Sequence, residues 1–161
     1  MATVKLTPGA VSAWTSIMTT ELNTLGIGQA IRGSTIIAND TNLDSYVEFC
    51  FVGGGSVAAA GSPFVSVYLY YLNGDGSTYG DGRFSSAVTA VPPDSTLAGR
   101  LGTLATGAGT VTGTFSPIAG FGGLIPLRRG SLRPVLFNGL GVALSASGNI
   151  LYYRTSNMAI A

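Results

Sequence analysis

The chain has 161 residues, with eight basic and seven acidic side chains, a formal net charge of +1, no histidine and one cysteine. Charged residues make up 9% of it, where an ordinary soluble domain carries about 25%. So little charge excludes the long-range field that would steer a protein to nucleic acid or to an anionic membrane. It leaves Gly, Ser, Thr and Asn, together with other proteins, to cover the exterior.

The length suits one domain around one packed core. Residues 1–10 read as an extended N-terminal arm, in which Val4 and Leu6 alternate ahead of a Pro8-Gly9 break. Residues 11–161 read as a single domain. Met1–Pro8 has neither the charged nor the apolar region of a secretory leader, so none is expected, and the sequon Asn39-Asp40-Thr41 is idle without one. Trp14, Ile17, Met18, Leu22 and Leu25 then recur at spacings of three and four, which predicts a helix over 12–25. Ser12 or Thr15 would cap it, Gly26 would close it in a left-handed conformation, and it would lie as a lid on a sheet.

From Ile27 onward the pattern changes to short strands between turn residues. Strands are predicted at 31–37, 46–52 and 64–72, and near 87–91, 109–115, 131–138 and 149–155. The strongest is Phe64–Leu72, whose only polar side chain apart from its tyrosines is Ser66. Asn39–Asn42 reads as a turn, Gly53–Pro63 as a small-residue loop and Asn73-Gly74-Asp75-Gly76 as a hairpin turn. Further turns fall at Pro92-Pro93-Asp94, Ser116-Pro117, Gly122-Gly123, Asn138-Gly139 and Ser147-Gly148-Asn149. The fold class is therefore mainly β: an antiparallel β-sandwich, jelly-roll-like, with one short N-terminal helix. No repeat of 20–50 residues points to a solenoid, and no run of 18 apolar residues points to a transmembrane helix.

The chemistry-bearing residues are few. Without histidine, neither a Ser-His-Asp nor a Cys-His arrangement exists. A lone Cys50 in an apolar run reads as a small core hydrophobe and forms no intramolecular disulfide. In the loop 73–82, Asn73, Asp75 and Ser77 copy the first three ligand positions of a calcium loop. Thr78 then stands where the turn glycine belongs and Phe84 where the bidentate glutamate belongs. The loop reads as a glycine-enabled hairpin. Gly53-Gly54-Gly55 lacks the lysine and hydroxyl of a phosphate loop. Glu48 is the one carboxylate inside a strongly apolar strand, and glycoside hydrolysis needs two. Tyr68 and Tyr70 alternate onto one face of their strand and Tyr71 onto the other, which suits core and interface filling better than a sugar-stacking platform. No cofactor or metal is expected. Arg128, Arg129 and Arg133 read either as charges on a sheet edge or loop that discourage unwanted pairing or, the reading favoured here, as an ion-pair contact with an acidic patch on a neighbouring subunit, because the planar guanidinium holds a carboxylate with two hydrogen bonds.

Three segments carry a resemblance: Trp14-Thr15-Ser16-Ile17 through Leu25, Tyr68-Leu69-Tyr70-Tyr71-Leu72 through Gly82, and Pro134-Val135-Leu136-Phe137-Asn138-Gly139 through Arg154. Together the chain resembles small virion structural proteins of tailed bacteriophages, of the capsid cement or decoration kind. That resemblance implies a non-enzymatic β-sandwich on the outside of the phage head. It would bridge major capsid protein subunits, often as a homotrimer, and bind neither nucleic acid nor membrane. Tail and fibre proteins share such folds, so a receptor- or glycan-binding tail component is the alternative. The chain departs from the pattern in its poverty of lysine and glutamate. The arm is the expected strap on a neighbouring subunit, through Val4, Lys5 and Leu6, and the loop of Arg128, Arg129 and Arg133 is the second contact.

Overall fold

A computed structural model describes residues 6–41, 43–54, 64–73, 96–102, 110–114, 116–117 and 125–160. Twelve strands follow in order: β1 (Leu6–Val11), β2 (Thr15–Met18), β3 (Ala30–Arg32), β4 (Ile37–Asn39), β5 (Tyr46–Gly54), β6 (Phe64–Tyr71), β7 (Thr96–Gly102), β8 (Thr110–Thr114), β9 (Ser116–Pro117), β10 (Ile125–Pro126), β11 (Gly130–Gly139) and β12 (Ile150–Ile160). They form two antiparallel sheets of six strands, packed as a sandwich. In one sheet β12 lies between β5 and the pair β1 and β2, while β8 and β10 line the other side of β5. In the other, β11 lies between β6 and the pair β3 and β4, and β7 and β9 continue beyond β6. Among the described residues no helix is long and apolar enough to cross a membrane.

The alternation of side chains explains the core. Val47, Phe49 and Phe51 of β5 and Leu151 of β12 point inward, against Val65, Val67 and Leu69 of β6 and Leu132 and Leu136 of β11. All are buried, and each such side chain contributes about 1.5–3 kcal/mol over leaving it in water. Strand β6 is apolar on both faces. Its Tyr70 joins Ala30, Leu72 and Val135 in a second, smaller cluster on the far side of the sheet, while Tyr71 packs against the main core. The predicted split of the tyrosines is thus observed.

The predicted helix over 12–25 is not formed. The segment makes β2, a single 3-10 turn, η1 (Thr20–Leu22), and irregular chain. Ile17, Met18, Leu22 and Leu25 are nevertheless buried, as the helical spacing demanded, whereas Trp14 of the same predicted face is exposed. Two physical reasons explain the exchange. Thr15, Ile17, Thr19 and Thr20 are β-branched and restrict their own rotamers in a helix. Strand β12 also has an open flank, and Thr15–Met18 fills it, opposite Tyr153, Tyr152 and Leu151. A register shift in that pairing lets the consecutive Ile17 and Met18 both turn inward, which mimics a helical pattern. The closing left-handed residues are Thr24 (φ 61) and Gly28 (φ 69) rather than Gly26.

Other expectations fared unevenly. The strands predicted at 46–52, 64–72, 109–115, 131–138 and 149–155 correspond to β5, β6, β8, β11 and β12. The strand predicted at 31–37 is two, β3 and β4, separated where Gly33–Ile36 leaves β11. Strands β7 and β10 have no counterpart in the prediction, Ser116-Pro117 is the short strand β9 rather than a turn, and Asn138-Gly139, also expected as a turn, ends β11. The hairpin turn after Asn73, the acidic loop beyond it and the strand near 87–91 lie outside the described residues.

Pro134 occupies the middle of β11, a position normally closed to proline. It is accommodated because β3 pairs with Val135–Phe137 and β4 with Gly130–Leu132, leaving Pro134 opposite the break. Its carbonyl accepts from Gly33 N at 2.8 Å, on the β3 side, so the missing N–H would have faced that same gap rather than β6.

Buried asparagines fasten the loops. Asn138, fully buried, donates from Nδ2 to the carbonyls of Leu25 (2.9 Å), Gly26 (3.1 Å) and Val142 (2.9 Å), and its Oδ1 accepts from Leu140 N at 3.0 Å. Its backbone adds bonds with Gln29 and Gly28. Asn138→Ala removes all four bonds; Leu25 O and Gly26 O keep Leu144 N and Gln29 N, while Val142 O and Leu140 N lose the partner that Asn138 gave them. We expect a loss of about 2 kcal/mol or more, since each buried orphan costs about 1–3 kcal/mol, read as a lower denaturant midpoint.

Candidate functional site

The expected contact residues fall in separate places. Leu6 opens β1, which pairs along β12 of its own chain from Leu6 opposite Ile160 to Val11 opposite Ser156. Ser12 clips the end of that strand: its N donates to Thr155 O at 3.0 Å, and its Oγ accepts from Thr155 N at 2.8 Å. Val4 and Lys5 lie outside the described residues.

Arg128 and Arg129 are exposed at the end of the sandwich where β5 begins. Arg128 is braced: its guanidinium lies 4.2 Å from the centre of the Tyr71 ring, and its backbone N donates to Tyr71 Oη at 3.1 Å. Asn39 ties the same loop down, donating from Nδ2 to Arg128 O (3.1 Å) and Asp44 O (2.9 Å) while Oδ1 accepts from Asp44 N. Between them is a hollow of about 270 Å³ bordered by Leu43, Asp44, Pro126 and Arg129. Leu43 is half exposed and sits at φ 51, a conformation that a branched side chain rarely adopts. Leu43 and the two arginines are thus exposed side by side at this end of the sandwich. Leu43 carried no sequence signal, because a lone leucine in a polar turn is ordinary until its backbone is seen.

Arg133 stands apart. It is half buried and lines a different hollow, with Glu21 and Arg32, so the three arginines do not form one patch. Glu48 is accounted for by structure. It faces Arg154 across β5 and β12, and Arg154 Nε donates to Glu48 Oε2 at 2.6 Å. The same guanidinium lies 4.5 Å from the centre of the Trp14 ring. This arrangement occupies Glu48 with a partner on the neighbouring strand. Cys50, expected in the core, instead points to the outer face of its sheet opposite Tyr152 and is half buried, because β5 turns Phe49 and Phe51 inward. Among the described residues no three His, Cys, Asp or Glu side chains cluster to hold a metal ion.

No protein-family model matches the chain, and no curated protein matches it either.

Trp14 is the chain's one tryptophan, so its emission reports directly on the Arg154 contact. Arg154→Ala should shift that emission to longer wavelength. A double-mutant cycle with Glu48→Ala should give a coupling of about 0.5–1 kcal/mol, the scale of a pair that water still reaches.

Proposed function

We propose that the chain is a jelly roll acting as a non-enzymatic virion structural protein, a cement or decoration protein of a tailed-phage head. The strand order supports the first part. Taking β1 with β2, and β3 with β4, as single interrupted strands, each sheet interleaves early and late strands as two Greek keys would. That architecture is common to viral capsid and lectin domains.

The observation that carries the virion reading is the contact surface at one end: Leu43, Arg128 and Arg129 exposed on a chain that otherwise carries little charge. A cement protein needs such discrete contacts. Modest individual interfaces with major capsid protein subunits add through multivalency, above all in a homotrimer, and binding only to the assembled lattice stabilises that lattice by mass action. The strap belongs to this reading too, carried by residues ahead of Leu6, since β1 itself is engaged at home. Nucleic acid and membranes are not partners in this reading, and the phage head surface is its place of action.

The rival is a tail or fibre module that binds a receptor glycan. It needs an exposed aromatic platform, and Tyr70 is buried while Tyr71 is held under Arg128. A glycan array separates the two classes, with sugar binding favouring the rival.

On heads stripped of this protein, Arg128→Gln with Arg129→Gln should lower occupancy about tenfold or more, the scale of two lost charge-assisted contacts. The isolated variant should melt close to the wild type. Unchanged occupancy would remove these arginines from the contact, and failure of the wild type to bind heads would remove the cement reading itself.

A further inference from the structure

Where β3 parts from β11 and η1 packs alongside, the sandwich leaves a hollow of about 420 Å³ lined by Thr20, Glu21, Arg32, Gly33, Ser34 and Arg133. The break itself makes the room: β3 stops at Arg32, β4 resumes at Ile37, and a side chain at Gly33 would press on Met18 and Pro134. We propose that this hollow is an oxyanion-binding site, taking a carboxylate or a phosphate group. The proposal goes beyond the virion reading and does not depend on it.

Two of the chain's eight basic residues meet here. Arg32 is buried and has interactions of its own. The Nε of Arg133 is buried, and among the described residues nothing accepts its hydrogen; the Arg32 Nε is in the same condition, although that residue has other interactions. A guanidinium stays charged at any working pH, so it cannot escape that cost by losing a proton. The hollow is many times the roughly 30 Å³ of one water and gives the fork space to turn toward an anion. A planar oxyanion then supplies two acceptors in the geometry that the fork prefers.

Glu21 is the opposing charge. Its Oε2 accepts from Thr19 N at 3.0 Å and its Oε1 from the Ser34 hydroxyl at 3.3 Å. Both oxygens are therefore occupied by neutral donors, and Glu21 stands as a brake on anion entry.

The test titrates the full-length chain with inorganic phosphate and, separately, with a hexaglutamate peptide, by calorimetry and by melting temperature. Wild type should bind at least one probe. Arg133→Gln should weaken that binding about tenfold or more, and Glu21→Gln should tighten it about threefold. In the absence of probe, Arg133→Gln should melt no lower than wild type, because it removes an unsatisfied buried donor. If that variant does not fold, Arg133→Lys keeps the charge without the fork and should bind more weakly than wild type. Tighter binding of hexaglutamate than of phosphate assigns the site to a partner protein's acidic side chain. The reverse order assigns it to a free anion. Absence of binding by both probes, or equal affinity in wild type and the Arg133 variant, overturns the proposal.

Discussion

The structure depends on amides buried where loops meet. A chain so rich in Gly, Ser, Thr and Asn cannot anchor its connections with long charged side chains, and short loops expose many backbone groups that need partners. Asn138 answers this at one end of the sandwich, joining the β2–β3 connection to the β11–β12 turn through four side-chain bonds. Asn149 repeats the device nearby, with Nδ2 on Ser145 O and Asn23 Oδ1, and Oδ1 accepting from Gly54 N. Asn39 does the same at the opposite end of β5. An amide carries both donors and acceptors, so one side chain satisfies carbonyls and N–H groups together. A buried aspartate could not.

Much of the sandwich was legible because its central strands carry their own signal. β5, β6, β11 and β12 are long, apolar or alternating, and bounded by turn residues. The failures are of one kind. Residues 12–25 show a helical spacing that a bulged strand plus a 3-10 turn reproduces, and only the open flank of β12 decides between them. Strand β7, Thr96–Gly102, contains two glycines and an arginine and has no period of its own; it exists because β6 offers it an edge. Tertiary pairing overrode local preference in both cases.

The proposed contact surface was legible in part. Arginines stand out in a chain with so few charges, but their linear closeness concealed that β11 carries Arg133 away from Arg128 and Arg129. Arg32 and Glu21 gave no warning, since the hollow that gathers them is made by the interruption between β3 and β4. That interruption is linked to Pro134, visible in sequence but read only as part of a strand.

The outer strands explain how so uncharged a sandwich avoids pairing edge to edge. Exposed edges usually rely on lysine for protection, and this chain has one. It uses proline instead: Pro8 in β1, Pro117 in β9 and Pro126 in β10, each on a strand at the margin of its sheet. In β1 the pairing also shifts register between Pro8 and Val11. A proline removes a donor and a register shift bends the strand, which hinders strand addition at β1, β9 and β10; the marginal strands β2, β3, β4 and β8 carry no proline.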